Sequence, residues 1–291
     1  MNALQQQGRA AKSAAYVLST AKTNAKNTAL EASAAILAER QKDWLAANAQ
    51  DVAAAEASGM RPAMLDRLTL TPERIAGIVA GVHQIAALPD PIGRVERMET
   101  RPNGLIIGKR RVPLGVIAMI YEARPNVTVD AAALCLKSGN ACILRGGKEA
   151  IRSNRAAVAL MREALAASGL PEGCICLVQD TDRETANELM HLDEYVDVLI
   201  PRGGASLIRT VAKEAGIPVI RTGEGVCHIY VDDEADLDMA ANILYNAKCS
   251  RPSVCNAAEC VLVHANVAEA FWKKALPMLD QKNVELRADA A

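Results

Sequence analysis

Apolar residues recur at helical spacing through the first ninety or so positions, which are rich in Ala. "NTALEASAAILAERQKDWLAANAQDVAAAEASG" reads as amphipathic helix and stops at Gly59. "TPERIAGIVAGVHQIAAL" carries its own start signal: Thr71 can cap, Pro72 suits the first helical position, and Glu73 suits the positive end of the dipole. That helix must stop before Pro89 and Pro91. The period then changes. "GRVERMETRPNGLIIGKRRVPLG" predicts two strands around Pro102-Asn103-Gly104, because Asn and Gly tolerate the positive φ of a tight turn. Such a hairpin is either a plain surface feature or an edge that pairs with another chain.

From Val112 onward, unbroken apolar runs alternate with helical stretches. "GVIAMIY", "ACILR", "CICLV", "VDVLIP" and "IPVIR" predict five strands. Between them, "NVTVDAAALCLKSGN", "EAIRSNRAAVALMREALAASG", "RETANELMH" and "GGASLIRTVAKEAG" predict helices. This order predicts an α/β fold with a parallel sheet covered on both faces. A further helix is expected from Asp236 to about Lys248, and "ECVLVH" as another strand.

Composition narrows the function. With 51% hydrophobic residues the chain can bury a large core, and a net charge of -1 argues against general affinity for nucleic acid or anionic membrane. Aromatics make up only 3%, too few for base-stacking platforms. The N-terminus lacks the apolar stretch of a secretory signal, and no run approaches the roughly 20 apolar residues of a membrane helix. The eight cysteines begin only at Cys135, unlike the dense pattern of a secreted scaffold. A reducing cytoplasm with free thiols is the expectation.

In doubly wound sheets, ligands bind beyond the carboxyl ends of the strands. Gly-rich or polar stretches stand there after the first, second, fourth and fifth strands: "YEARPNVTVD", "RGGKEA", "PRGGAS" and "TGEGVC". Paired glycines let backbone approach a phosphate, and Arg145 and Lys148 add positive charge beside Gly146 and Gly147. No G-x-G-x-x-G follows the first strand and no G-x-x-x-x-G-K-[ST] is present, which disfavours ordinary Rossmann dehydrogenases and P-loop enzymes.

"CSRPSVCNAAEC" gathers Cys249, Cys255 and Cys260. The spacing does not match a zinc site, and a disulfide is disfavoured in a reducing compartment. Cys260, inside "CVLV", reads as a small buried hydrophobe, and Cys249 as incidental. Cys255 sits in a loop near Arg251, where a thiol can be partly ionised and nucleophilic; an inert loop cysteine remains the alternative. The four histidines are scattered and form no readable relay.

"RRVPLGVIAMIYEARPNVTVDAAALCLKSGNACILRGGKEA", "VDVLIPRGGASLI" and "RPSVCNAAE" together resemble the gamma-glutamyl phosphate reductases, or glutamate-5-semialdehyde dehydrogenases, of the aldehyde dehydrogenase superfamily. The resemblance runs the length of the chain. It implies an aldehyde-dehydrogenase-like fold: an NADPH-binding domain over 1–92 and 113–226, an oligomerisation hairpin over 93–112, and part of a catalytic domain over 227–291. It implies NADPH-dependent reduction of L-glutamyl 5-phosphate to L-glutamate 5-semialdehyde with release of phosphate, a step of proline biosynthesis. Cys255 matches the family nucleophile, and Asn126 the superfamily's oxyanion donor beside the Cys255 backbone N–H.

For the cofactor, the resemblance points to Arg145, Gly146, Gly147, Lys148 and Glu149, to Pro201, Arg202, Gly203 and Gly204 beside the pyrophosphate, and to Thr222 and Gly223 near the nicotinamide. Superfamily members usually carry Lys at the place of Arg145. Glu122, Arg124 and Arg251 are expected to contact substrate, since an acyl phosphate with an amino-acid head needs both signs of charge. A homo-oligomer and a transient contact with glutamate 5-kinase are further expectations.

Two departures matter. Hydrolytic aldehyde dehydrogenases carry Glu-Leu-Gly-Gly at the place of "RTGEGV"; the aligned position here is not Glu, although Glu224 lies nearby. Family members also continue past Ala291, so a C-terminal truncation is expected, with the missing part completing the catalytic domain. The competing readings are a coenzyme A-acylating aldehyde dehydrogenase and a catalytically incomplete fragment that binds dinucleotide.

Overall fold

The computed structural model describes every residue except 123, 222, 224, 253, 290 and 291. The chain divides into two compact units, Met1–Thr222 and Gly223–Ala291.

The first unit opens with five helices: α1 (Ala3–Thr20), α2 (Thr23–Glu39), α3 (Gln41–Ala57), α4 (Pro62–Leu68) and α5 (Pro72–Ala87). Asn2 begins α1 with a reciprocal capping box to Gln5. Thr71 caps α5 as its sequence suggests, accepting from the Arg74 N–H at 3.2 Å. The stretch expected to be one helix up to Gly59 is two. Its backbone turns at Arg40 (φ -100°, ψ 25°), so α2 and α3 each bury their own face, Leu30 and Leu37 on one and Trp44 on the other.

The hairpin follows, β1 (Val95–Thr100) antiparallel to β2 (Ile106–Arg110). Gly104 takes φ +83° in its turn, and almost every residue of both strands is exposed.

Then come β3 (Val116–Tyr121), α6 (Pro125–Lys137), β4 (Ala141–Arg145), α7 (Ile151–Ala167), β5 (Ile175–Leu177), α8 (Arg183–Met190), β6 (Val198–Arg202) and α9 (Ala205–Glu214). The sheet order is β5-β4-β3-β6, all parallel. These strands are buried nearly throughout, which is why they read as unbroken apolar runs. Gly139 (φ +72°) and Gly169 (φ +74°) end α6 and α7 in the left-handed conformation that a side chain resists. The expected fifth strand, "IPVIR", is reduced to one parallel bridge between Val219 and Leu199. Pro218 accepts from the Leu199 N–H at 2.9 Å but has no N–H of its own to extend the ladder.

The second unit contains β7 (Cys227–Val231), α10 (Leu237–Cys249), β8 (Ala258–Val263) and α11 (Ala268–Asp280). The two strands are parallel neighbours. Its core is small: Val231, Ala241, Leu244, Phe271, Ala275 and Leu279 are buried together. Among the described residues no helix is long and apolar enough to cross a membrane.

Candidate functional site

In the first unit, strand order reverses between β3 and β6, so the crevice beyond their carboxyl ends is the topological switch point. Glu122, one residue past β3, joins the loop after β6 by two bonds. Its N–H donates to the Arg202 carbonyl at 3.3 Å, and its carboxylate accepts from the Gly204 N–H at 3.1 Å. Gly204 caps α9 and has no side chain to do so, so Glu122 supplies the acceptor from another strand. A Cβ on Gly203 would lie 2.7 Å from the Glu122 carboxyl carbon, so only glycine permits this approach. Arg202, Gly203 and Gly204 are exposed and Pro201 is buried.

The loop after β4 is held from beneath. Gly146 lies against the buried Asn154 amide, where any Cβ would collide. Asn154 accepts from the Thr128 hydroxyl at 2.8 Å, and Thr128 bonds the buried Tyr121 hydroxyl at 2.7 Å, which ties α7, α6 and the end of β3 together. Burial pushes the Tyr121 hydroxyl pKa up. Asp51, buried on α3, accepts from the Ser153 N–H and hydroxyl at 2.8 and 2.7 Å and so caps the start of α7 from outside. Glu149 folds its carboxylate back over Gly147, and Lys148 is exposed.

Arg145 is half-buried at the end of β4. Its guanidinium donates to the Thr181 carbonyl at 2.5 Å and to the Asp182 carbonyl at 3.2 Å. Burial lowers its pKa, against the pull of Glu149, Asp180 and Asp182. Its Nε and the Asn154 Nδ2 are buried without a hydrogen-bond partner among the described residues. The exposed cations Lys148 and Arg202 beside glycine loops are what fits a phosphate-bearing dinucleotide.

Asn126 lies in the first turn of α6, and its amide donates to Asp130 at 3.0 Å. Burial raises the Asp130 carboxyl above its usual range, opposed by the Asn126 bond. Arg124 precedes the helix and is half-buried. The resemblance singled out Asn126 but not Asp130, although a carboxylate four residues along a helix from an amide is a readable signal.

In the second unit, Cys255 sits on an exposed turn between α10 and β8. The turn is closed by Val254 N–H to Arg251 carbonyl at 3.3 Å and Ala257 N–H to Val254 carbonyl at 3.2 Å. The Cys227 thiol at the start of β7 lies 3.7 Å from the Cys255 carbonyl oxygen. Arg251 and Gly223 are exposed. Cys260 is half-buried on β8 and stands outside the small core of this unit; Cys249 is the cysteine that packs against that core. Thr222 and Glu224 lie outside the described residues. Among the described residues no group of three or more His, Cys, Asp or Glu is arranged to hold a metal.

The aldehyde dehydrogenase family pattern matches residues 3–290. A gamma-glutamyl phosphate reductase of Heliobacterium modesticaldum is 56% identical over 96% of this chain and 67% of its own length. The crystal structure of gamma-glutamyl phosphate reductase from Thermotoga maritima superposes with a TM-score of 0.87 at 42% identity, over 98% of this chain and 69% of that one. A propionaldehyde dehydrogenase from Clostridium phytofermentans, 18% identical over 95% of this chain and 60% of that one, shares the fold with a TM-score of 0.72. The chain thus spans about two thirds of the length of the curated relative.

Proposed function

This chain belongs to the aldehyde dehydrogenase family, in its gamma-glutamyl phosphate reductase branch, and from that premise we propose that it reduces L-glutamyl 5-phosphate to L-glutamate 5-semialdehyde in proline biosynthesis. The observation that carries the reading is the exposed turn that presents Cys255 within "RPSVCN", in a sequence 56% identical to a curated reductase of that name.

Cys255 is the nucleophile. Its thiolate adds to the acyl carbonyl, the carbon–oxygen bond to phosphate breaks, and a thioester remains on the sulfur. Negative charge develops on the carbonyl oxygen in each addition. The Asn126 amide and the Cys255 backbone N–H are the donors assigned to it, and loss of one such donor costs about 10²–10³ in rate. Asp130 orients the Asn126 amide by the bond between them.

The family implies a nicotinamide dinucleotide; our finer reading is NADPH, which when bound supplies the hydride. Arg145 and Lys148 are its ribose-phosphate cations, with Gly146, Gly147 and Glu149 shaping that loop. Pro201, Arg202, Gly203 and Gly204 border the pyrophosphate, and Thr222 and Gly223 the nicotinamide. Glu122, Arg124 and Arg251 serve the charged ends of the substrate. The position in "RTGEGV" that aligns with the hydrolytic Glu is not Glu, although Glu224 lies nearby, and this supports a thioester that meets phosphate or hydride rather than water. The further elements of the reading are a cytoplasmic homo-oligomer that pairs through the 93–112 hairpin and meets glutamate 5-kinase transiently.

In an active chain carrying this sequence, Cys255→Ser should abolish NADPH-dependent formation of the semialdehyde. Activity near wild type would overturn the reading. Running the reaction in reverse with phosphate or coenzyme A as acceptor separates the reductase from an acylating dehydrogenase.

A further inference from the structure

The second unit holds two cysteines in close approach at the mouth of its strand pair. Cys227 opens β7 in register with Ala258, which opens β8. Cys255 lies three residues before Ala258, and its turn folds back over the start of β7. The Cys227 sulfur is thereby 3.7 Å from the Cys255 carbonyl oxygen, and a Cβ on Gly225 would be 3.3 Å from the same oxygen. The Cys255 side chain hangs from the carbon next to that carbonyl, which places the Cys227 sulfur beside the residue that carries the exposed thiol.

The remaining cysteines differ. Cys135, Cys142, Cys174 and Cys176 are buried in the core of the first unit, where burial pushes the Cys174 thiol up to about 12 and Cys176 in the same direction. Cys249 packs against the core of the second unit. Cys260 is half-buried on β8, like Cys227, and Cys255 is the one exposed thiol among the described residues, so a small oxidant in solvent reaches Cys255 first; what sets Cys227 apart from Cys260 is its contact with the Cys255 backbone.

We propose that Cys255 and Cys227 form a reversible oxidative modification site, in which Cys227 is the resolving thiol for the exposed cysteine. The oxidant is a hydroperoxide. The Cys255 thiolate attacks it, an S–O bond forms, the O–O bond breaks, and the leaving oxygen takes up a proton as alcohol or water. Cys255 is then a sulfenic acid. The Cys227 sulfur, giving up its proton, attacks the Cys255 sulfur. The S–S bond forms, the S–O bond breaks, and hydroxide leaves as water with that proton. Two thiols supply two electrons and one hydroperoxide is reduced. A dithiol reverses the bond by exchange. Cys227 thus diverts Cys255 from the sulfinic state, which is irreversible. The step draws on the two sulfurs and the hydroperoxide and does not depend on the reductase reading.

The test uses the whole chain. It is treated with hydrogen peroxide, its free thiols are alkylated, and it is digested with trypsin without reduction. Peptides 222–248 and 249–273 are expected joined, lighter than their sum by two hydrogens, with fragmentation locating the bond at Cys227 and Cys255 and dithiothreitol releasing it. In Cys227→Ser the joined peptide should vanish, and the share of Cys255 restored by dithiothreitol should fall on the order of tenfold as it advances to the sulfinic acid. Unjoined peptides in the wild type, a bond to Cys249 or Cys260 instead, or equal restoration in Cys227→Ser would each overturn the proposal. The readout is mass, so failure here leaves the reductase reading intact, and a chain without turnover still reports on the bond.

Discussion

The Glu122 carboxylate accepts the Gly204 N–H at 3.1 Å and bridges the loops after β3 and β6 across the switch point of the sheet. Gly203 has to be glycine for this, since a Cβ would press within 2.7 Å of the Glu122 carboxyl carbon. Glu122 is exposed and can swing away. Gly203→Ala should therefore leave thermal unfolding nearly unchanged, within about 0.5 kcal/mol as for other surface changes. It should weaken dinucleotide binding about tenfold, or about 1.4 kcal/mol, because the loop assigned to the pyrophosphate loses its Glu122 tether. Titration calorimetry with NADPH alongside a melting curve checks both, and unchanged affinity would remove this loop from the cofactor site.

The Asn126–Asp130 bond makes a second expectation. Asp130 holds the amide at 3.0 Å, and one amide hydrogen is left to point elsewhere. Asp130→Ala frees the amide to rotate. If Asn126 is the oxyanion donor, kcat should drop about tenfold, a part of the 10²–10³ that losing the donor outright would cost, while KM for NADPH stays as it was. Steady-state kinetics decide this: a kcat within twofold of wild type would mean that Asn126 needs no such support.

The parallel sheet was legible because both of its faces are covered. Val116 to Tyr121 and Ala141 to Arg145 have almost no polar residue to disturb the run. The strand β7 was not expected, because its buried and exposed positions alternate and His228 and Tyr230 face outward. The helix α11 was missed as well, its pattern interrupted by Pro277. Cys255 could be singled out from its local setting, since an exposed polar turn is a short-range property. The partners of the site residues could not. Glu122 meets Gly204 across 82 positions, and Asp51 meets Ser153 across 102, so the sheet order must exist before either pair can be seen. The Cys227 contact likewise follows from the pairing of β7 with β8.

The hairpin carries apolar residues with nothing over them within the described chain. Met98 and Ile106 are each 62% exposed and share one face, since Met98 pairs with Gly108 and Thr100 with Ile106. An apolar edge of this kind suits pairing with a second copy. Ile106→Asp should lower the mass measured by light scattering and leave the melting temperature within about 2 °C, because the side chain makes no core contact. An unchanged mass would place self-association elsewhere.

A buried ion pair holds the base of that hairpin to the helices. Lys26, 1% exposed, donates to Asp90 at 2.7 Å. The Thr23 hydroxyl and the Ile92 N–H bond the same carboxylate at 2.7 and 2.9 Å. Burial alone would raise the Asp90 pKa, but Lys26 and these two donors outweigh it and hold the carboxyl below its usual range. A carboxyl depressed in the folded state stabilises fully above its unfolded pKa of about 3.9, and that stability is lost as pH falls through the lower folded value. Asp90→Asn leaves the Lys26 ammonium buried without its counter-charge, a change that costs about 3–5 kcal/mol. Urea unfolding at pH 7 should show that loss. Near pH 3 and below the gap should narrow, because the wild-type carboxyl is then itself becoming neutral. A gap of constant size across that range would mean that shape, not charge, is what Asp90 contributes.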